Sequence, residues 1–247
     1  MVNHHNHPYH PKLIRSVSLD KFFENGIEKH NADLTPDSFK DFVYDYGNFF
    51  STEKHILDDE GYVQMVSHDG LFERDVVPWH NDWSYGVGAY HGTALYNFFG
   101  GHLTPTWFCD MKLAYDNLPD PEKYENVVGT YYPPENLQDR CFTEKQLRYL
   151  RKNKTQRPFI IEHPITNEKM LYFSPGSLVE TNVEVDIEEL IEHCEQFAYP
   201  MFWDDNDMLV YDNLRVMHKR DAFEGERILW RIQFNYEETY NIGCQFF

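Results

Sequence analysis

VVPWHNDWSYG, residues 76–86, decides how the chain is built. Its apolar residues show no helical spacing, so the run is extended rather than helical. In a strand, residues two apart point to one face. His80 and Asp82 therefore converge, while Trp79 and Asn81 point away. Both converging side chains are common metal ligands. The same spacing fails in DIEELIEHCEQF, residues 186–197, which has helical periodicity. There His193 and Glu195 diverge by roughly 200° around the axis, and they read as a solvated helix face.

One such pair among 13 histidines and 41 acidic residues proves little by itself. A His-x-Asp pair joined by a distant histidine forms the facial triad that leaves open positions on Fe(II). His218, after the apolar strand of VYDNLRVMHKRDAF, is the best distant histidine. His91, His102 and His163 compete. His163, in IIEHPI, reads better as a buried hydrogen-bonding residue.

Around this centre the chain is mainly β with peripheral helices. YVQMVS, TALYNFF, VVGTYY, FIIEH, KMLYFS, MLVYD and ILWRIQFNY read as strands. Thr35-Pro36-Asp37 opens a helix that Gly47 closes. Thr143 with Gln146, and Asp186 with Glu189, make capping boxes, and a short helix follows Asp110. WDDND, residues 203–207, reads as a tight turn. Short strands with few helices predict a double-sheet sandwich, a jelly roll or double-stranded β-helix, which often opens a metal pocket between its sheets. No repeat or composition break divides the chain. One domain is expected over residues 13–247, behind a flexible segment 1–12 whose histidines 4, 5, 7 and 10 read as a mobile polar terminus.

The net charge of −19 repels phosphate backbones and anionic membranes, so neither nucleic acid nor membrane is expected as a partner. A homo-oligomer stays open. Cys109, Cys141, Cys194 and Cys244 form no C-x-x-C pair. No apolar signal core opens the chain, and a soluble, cytoplasmic protein is expected.

ILWRIQFNY adds a second clue. Ile228, Trp230, Ile232 and Phe234 share one face, and Arg227, Leu229, Arg231 and Gln233 the other. Two arginines on one inward face need anions. These are internal carboxylates or anionic ligands held by bidentate contacts.

Four segments, in order over roughly residues 60–236, resemble the Fe(II)/2-oxoglutarate-dependent dioxygenases of the TauD/TfdA family. WHND is similar to the family's W-H-x-D. GGHLTPTWFCDMKLAYDNLP, HPITNEKMLYFSPG and DNDMLVYDNLRVMHKRDAFEGERILWRIQF are similar to its later motifs. The resemblance implies Fe(II) ligated by His80, Asp82 and His218, with no catalytic residue beyond these ligands. It implies 2-oxoglutarate held by Thr106 and Arg227, and O2 as the second co-substrate. Thr104 competes with Thr106, because GGHLTPT is longer than the usual segment. The position of Arg231 matches one that holds an anionic substrate group, and Trp83 and Tyr85 are further substrate-pocket candidates. The implied reaction hydroxylates a small substrate, carboxylate-, sulfonate- or amino-acid-like, and releases succinate and CO2. The close spacing of His218 and Arg227 resembles the trimethyllysine and γ-butyrobetaine hydroxylase branch. Val76 stands where taurine dioxygenase binds substrate through asparagine, which argues against taurine. The rival is a non-catalytic or 2-oxoglutarate-independent metal-binding β-sandwich.

Overall fold

A computed structural model describes residues 19–236, apart from 52–54, 71, 87–89, 136 and 139–141. The 1–12 segment with its histidines, Cys141 and Cys244 lie outside the described residues. Two antiparallel sheets dominate. The larger runs β1 (Ile27–Asn31), β13 (Asp207–Asp212), β5 (Gly92–Phe99), β15 (Ile228–Asn235) and β2 (Asn48–Phe49), and β3 (Gln64–Ser67) also pairs with β15. The smaller runs β12 (Ala198–Met201), β6 (Thr106–Asp110), β14 (Val216–Arg220) and β4 (Val77–His80). Leu95, Leu209, Tyr211 and Leu229 from the larger sheet pack against Phe108 and Val216 from the smaller, so their facing sides form one core. This is the expected jelly roll.

The outer faces are covered too. Trp230, Ile232 and Phe234 turn the apolar face of β15 onto Phe22 of α1 (Leu19–Asn25) and Phe39 and Val43 of α2 (Pro36–Val43). Fully burying one such phenylalanine stabilises the fold by about 2–3 kcal/mol. Cys109 and Met217 carry the smaller sheet's outer face onto α3 (Met111–Asp116) and α5 (Ile187–Glu195). Burial on both faces explains why β13 is buried along its whole length and reads as a continuous apolar run. A third sheet, β11 (Leu178–Thr181), β7 (Val128–Tyr131) and β8 (Thr155–Pro158), and the hairpin β9 (Ile160–Glu162) with β10 (Lys169–Leu171) complete the sheets.

Helix ends follow local chemistry. Thr35 and Ser38 cap α2 reciprocally with proline in its first turn, and a 3-10 turn then leads to Gly47. A Cβ at Gly47 would strike the Asn235 carbonyl, so glycine is required by close approach. Thr143 and Gln146 form the expected box on α4 (Glu144–Lys152). At α5 only half of the box exists, because Asp186 accepts from the Glu189 amide with no reciprocal bond. Asp110 caps α3 by accepting from the Lys112 and Leu113 amides. Residues 203–207 form the expected turn, and Asp207 is held by Lys29 at 2.6 Å.

Candidate metal centre and ligand pocket

Register builds the site. His218 and His80 are direct partners across β14 and β4. Side chains so paired stand roughly 5 Å apart, which brings together residues separated by most of the sequence. His218 follows the apolar strand β13, as its sequence context suggests, and itself lies inside the next strand, β14. Asp82 follows β4 by two residues. Its Oδ1 lies 3.6 Å from His80 Nε2 and 3.8 Å from His218 Nε2. One potential ligand atom from each of the three residues lies within 4.8 Å of the others, a span that one ion can bridge.

The donors are already in the form a metal needs. His80 donates Nδ1–H to the Pro78 carbonyl at 2.8 Å, leaving the Nε2 lone pair toward the site. Burial, joined by the neighbouring His80, pushes the His218 imidazole down to about 3, so it is neutral at pH 7. Burial would raise the Asp82 carboxyl. The contact with His80 and the permanent charge of the Arg231 guanidinium, 3.9 Å away, outweigh it and hold the group well below the usual carboxylate range. Asp82 Oδ2 accepts from Thr93 Oγ1 at 3.0 Å and Gln233 Nε2 at 3.1 Å, so Oδ1 is the oxygen turned to the two histidines. The main chain of Asp82 is gripped as well. Its amide donates to Asn213 Oδ1 at 2.7 Å, and its carbonyl accepts from Asn213 Nδ2 at 3.0 Å. Two imidazoles and one ionised carboxylate, with His80 and Asp82 each oriented by a second contact, fit a divalent ion of the Fe(II) type.

Sequence reasoning did not find Thr93 or Asn213. Gln233 carried a signal, since it shares the inward face of β15 with Arg231. His163 and His193 are employed elsewhere. His163 Nδ1 accepts from the Ile165 and Thr166 amides while Nε2 meets Asp212 at 2.9 Å, as expected of a buried hydrogen-bonding histidine. His193 is not on a solvated face. It is half-buried and hydrogen-bonded to the Ala114 carbonyl at 2.8 Å, and Glu195 accepts from Trp79 Nε1 at 2.8 Å. The helix packs against α3 and β6, which half-buries His193 and leaves Glu195 exposed.

A cavity of about 610 Å³ opens beside the cluster. His80 and Asp82 lie in its wall with Phe72, Trp83, Tyr85 and Tyr90. Trp83 adopts φ +59°, a left-handed conformation that costs a bulky residue about 1–2 kcal/mol. Its indole stacks on Tyr90 and Phe142. Arg231 also lines the cavity, and its guanidinium has internal partners. Nε meets Gln64 Oε1 at 3.1 Å, Nη2 meets the same oxygen, and Nη1 lies 3.9 Å from Asp82 Oδ1.

Thr106, Arg227 and His218 are not in the cavity wall. Arg227 is 4% exposed, just ahead of β15, and among the described residues no carboxylate pairs with it and its Nε finds no acceptor. Burial, joined by the charge of Arg220, pushes its guanidinium down to about 9. Arg227 and Arg220 share the Phe223 ring, at 5.9 and 4.8 Å. Arg220 donates to the carbonyls of Phe72, Glu73 and Asp75 and so ties that loop over the arginine pair. Thr106 is the Cα partner of Arg220, and its Oγ1 accepts from Trp203 Nε1 at 3.1 Å. Thr104 is equally buried and donates to the Pro105 carbonyl at 3.4 Å. A buried guanidinium without an anion is costly, and a carboxylate-bearing ligand fits it.

Residues 29–233 match the family described as taurine catabolism dioxygenase TauD, TfdA family. An alpha-ketoglutarate-dependent 2,4-dichlorophenoxyacetate dioxygenase of Burkholderia sp. (strain RASC) is 28% identical over 163 residues, covering 59% of this chain and 53% of that protein. Its counterpart from Cupriavidus pinatubonensis is 27% identical over the same length. The chain thus spans about half the length of the curated relatives it matches. Among solved structures, AAD-2 in complex with Mn(II) and N-oxalylglycine aligns over 88% of this chain and 85% of its own, with TM-score 0.71 and 20% identity. A taurine dioxygenase from Burkholderia xenovorans aligns over 92% and 84%, with TM-score 0.70 and 18% identity. These structural likenesses bear on the fold.

Proposed function

Because the chain belongs to the TauD/TfdA dioxygenase family, we propose that it is an Fe(II)- and 2-oxoglutarate-dependent dioxygenase that hydroxylates a small molecule and releases succinate and CO2. The observation that carries this is the convergence of His80, Asp82 and His218 on one point beside an open cavity. Residues 13–247 are taken as one domain, a proposal supported by cores that join helices and both main sheets over the described residues.

His80, Asp82 and His218 hold the ion, with Asp82 Oδ1 as the carboxylate ligand. Arg227 takes the distal carboxylate of 2-oxoglutarate, supported by its burial without an anionic partner. Thr106 contributes from β6, where it is the register partner of Arg220. When bound, the iron and 2-oxoglutarate supply the chemistry that puts one oxygen atom of O2 into a substrate C–H bond and the other into succinate. Trp83 and Tyr85 form the substrate wall and limit water at the reacting centre. For Arg231 the contacts favour the internal alternative, because Gln64 and Asp82 engage its guanidinium. The expectation of an anionic substrate group weakens accordingly. The substrate is a small molecule, and no nucleic acid or membrane partner is proposed for a chain of this charge. Among the described residues no helix is long and apolar enough to cross a membrane.

The test is anaerobic titration of the protein with Fe(II) and then 2-oxoglutarate. A weak visible charge-transfer band should develop, and admitting O2 should release succinate slowly without substrate and faster with the right one. Metal binding without any effect of 2-oxoglutarate would instead favour the 2-oxoglutarate-independent metal protein.

A further inference from the structure

Arg157 is fully buried on β8, a strand outside the two main sheets. Its Nε donates to the Ser84 carbonyl at 2.8 Å and its Nη2 to the Gly86 carbonyl at 2.9 Å. Thr155, two residues earlier on the same strand face, donates Oγ1 to the Tyr85 carbonyl at 2.9 Å and the Gly86 carbonyl at 3.2 Å. Three consecutive carbonyls are thus held by two side chains of one strand. They belong to the turn that carries Trp83 and Tyr85 into the cavity wall. The turn also needs holding, because Trp83 is left-handed and its indole lies so close to Gly86 that a Cβ there would strike it. Burying a guanidinium to bind main-chain carbonyls is unfavourable unless its planar fork matches them, and here two donors reach carbonyls two residues apart.

We propose that Arg157 is a positioning residue for the substrate wall: with Thr155 it fixes the carbonyls of residues 84–86 and thereby the places of Trp83 and Tyr85. Asp82, on the other side of the turn, does not depend on this clamp, since Asn213, Thr93 and Gln233 hold it separately. The clamp sets substrate fit, not metal binding. It rests on the dioxygenase reading only in calling the wall a substrate wall.

The test needs no turnover, so its failure is distinct from failure of that reading. Co(II) is the probe ion for the triad. Trp83 is read as the difference in acrylamide quenching between each full-length protein and its Trp83→Phe counterpart. In Arg157→Met and Thr155→Val, quenching of Trp83 should rise several-fold while Co(II) affinity stays at the wild-type level. Arg157→Lys should behave like Arg157→Met, because one ammonium cannot bridge both carbonyls. Rescue by lysine would show that charge, not the fork, matters and would overturn the proposal. So would unchanged quenching in Thr155→Val, or a fall in Co(II) affinity equal to that of an Asp82 variant. If the Arg157 variants do not fold, Thr155→Val, which keeps the side-chain shape, decides the outcome in either direction.

Discussion

At the scale of single residues, the two arginines of the closing strand separate. Arg227 is buried with no carboxylate among the described residues, whereas Arg231 has internal partners. The variants should therefore behave in opposite ways. Arg227→Met removes an uncompensated buried charge, so ligand-free stability in urea should hold or rise. Its 2-oxoglutarate affinity, measured by anaerobic titration, should fall by about 2–5 kcal/mol, as when one partner of a desolvated charged pair is lost. Arg231→Leu leaves Gln64 and Asp82 short of donors, so ligand-free stability should fall by about 1–3 kcal/mol. A stable Arg231→Leu protein that loses only its response to anionic substrates would restore the substrate role for that guanidinium.

The element that decides the site is the corner between β13 and β14. Asp212 Oδ1 accepts from the Leu214 and Arg215 amides, and Oδ2 meets buried His163. Next along, Asn213 grips Asp82 through amide and carbonyl. Asn213→Ala keeps every ligand but releases the loop that carries one of them. Metal affinity, read by Co(II) titration, should fall about 10–100-fold, the usual effect of losing an outer partner. Burial would raise the Asp212 carboxyl, but His163 and the two amides prevail and lower it. A carboxyl with a depressed folded pKa stabilises above its unfolded pKa of about 3.9 and loses that contribution as pH falls through the folded value. Asp212→Asn should thus be less stable than wild type near neutrality and converge with it in acid, followed by urea unfolding at stepped pH.

For the whole molecule, charge and metal act together. At −19 the folded chain repels itself, and the Debye length shrinks from about 30 Å at 0.01 M salt to about 3 Å at 1 M. Melting temperature should rise with NaCl in wild type. Mn(II) should raise it further by mass action, an effect lost in His80→Ala and His218→Ala and kept in His193→Ala. An equal loss in His193→Ala would show that the wrong histidines are assigned. Much of this was legible in the chain itself. The β alternation of ILWRIQFNY is the alternation of β15 between helix-covered and inward faces, and the caps of α2, α3 and α4 lie where their residues place them. These depend on neighbours within a few residues, which sequence records directly. The short polar strands were not legible. TQRP and VMHKR lack the apolar runs that mark strands, because β8 and β14 are defined by the strands they pair with and the loops they hold. Nor could sequence tell that Arg231 has internal partners while Arg227 has no carboxylate partner. Sequence alone determined the ligand types and the sheet-rich class, but it placed His80 and Asp82 on one strand face, whereas β4 ends at His80 and Asp82 converges on it from the turn that follows. Tertiary structure decided which distant histidine faces them and which arginine awaits an anion, because both depend on cross-strand register and burial between segments far apart in the chain.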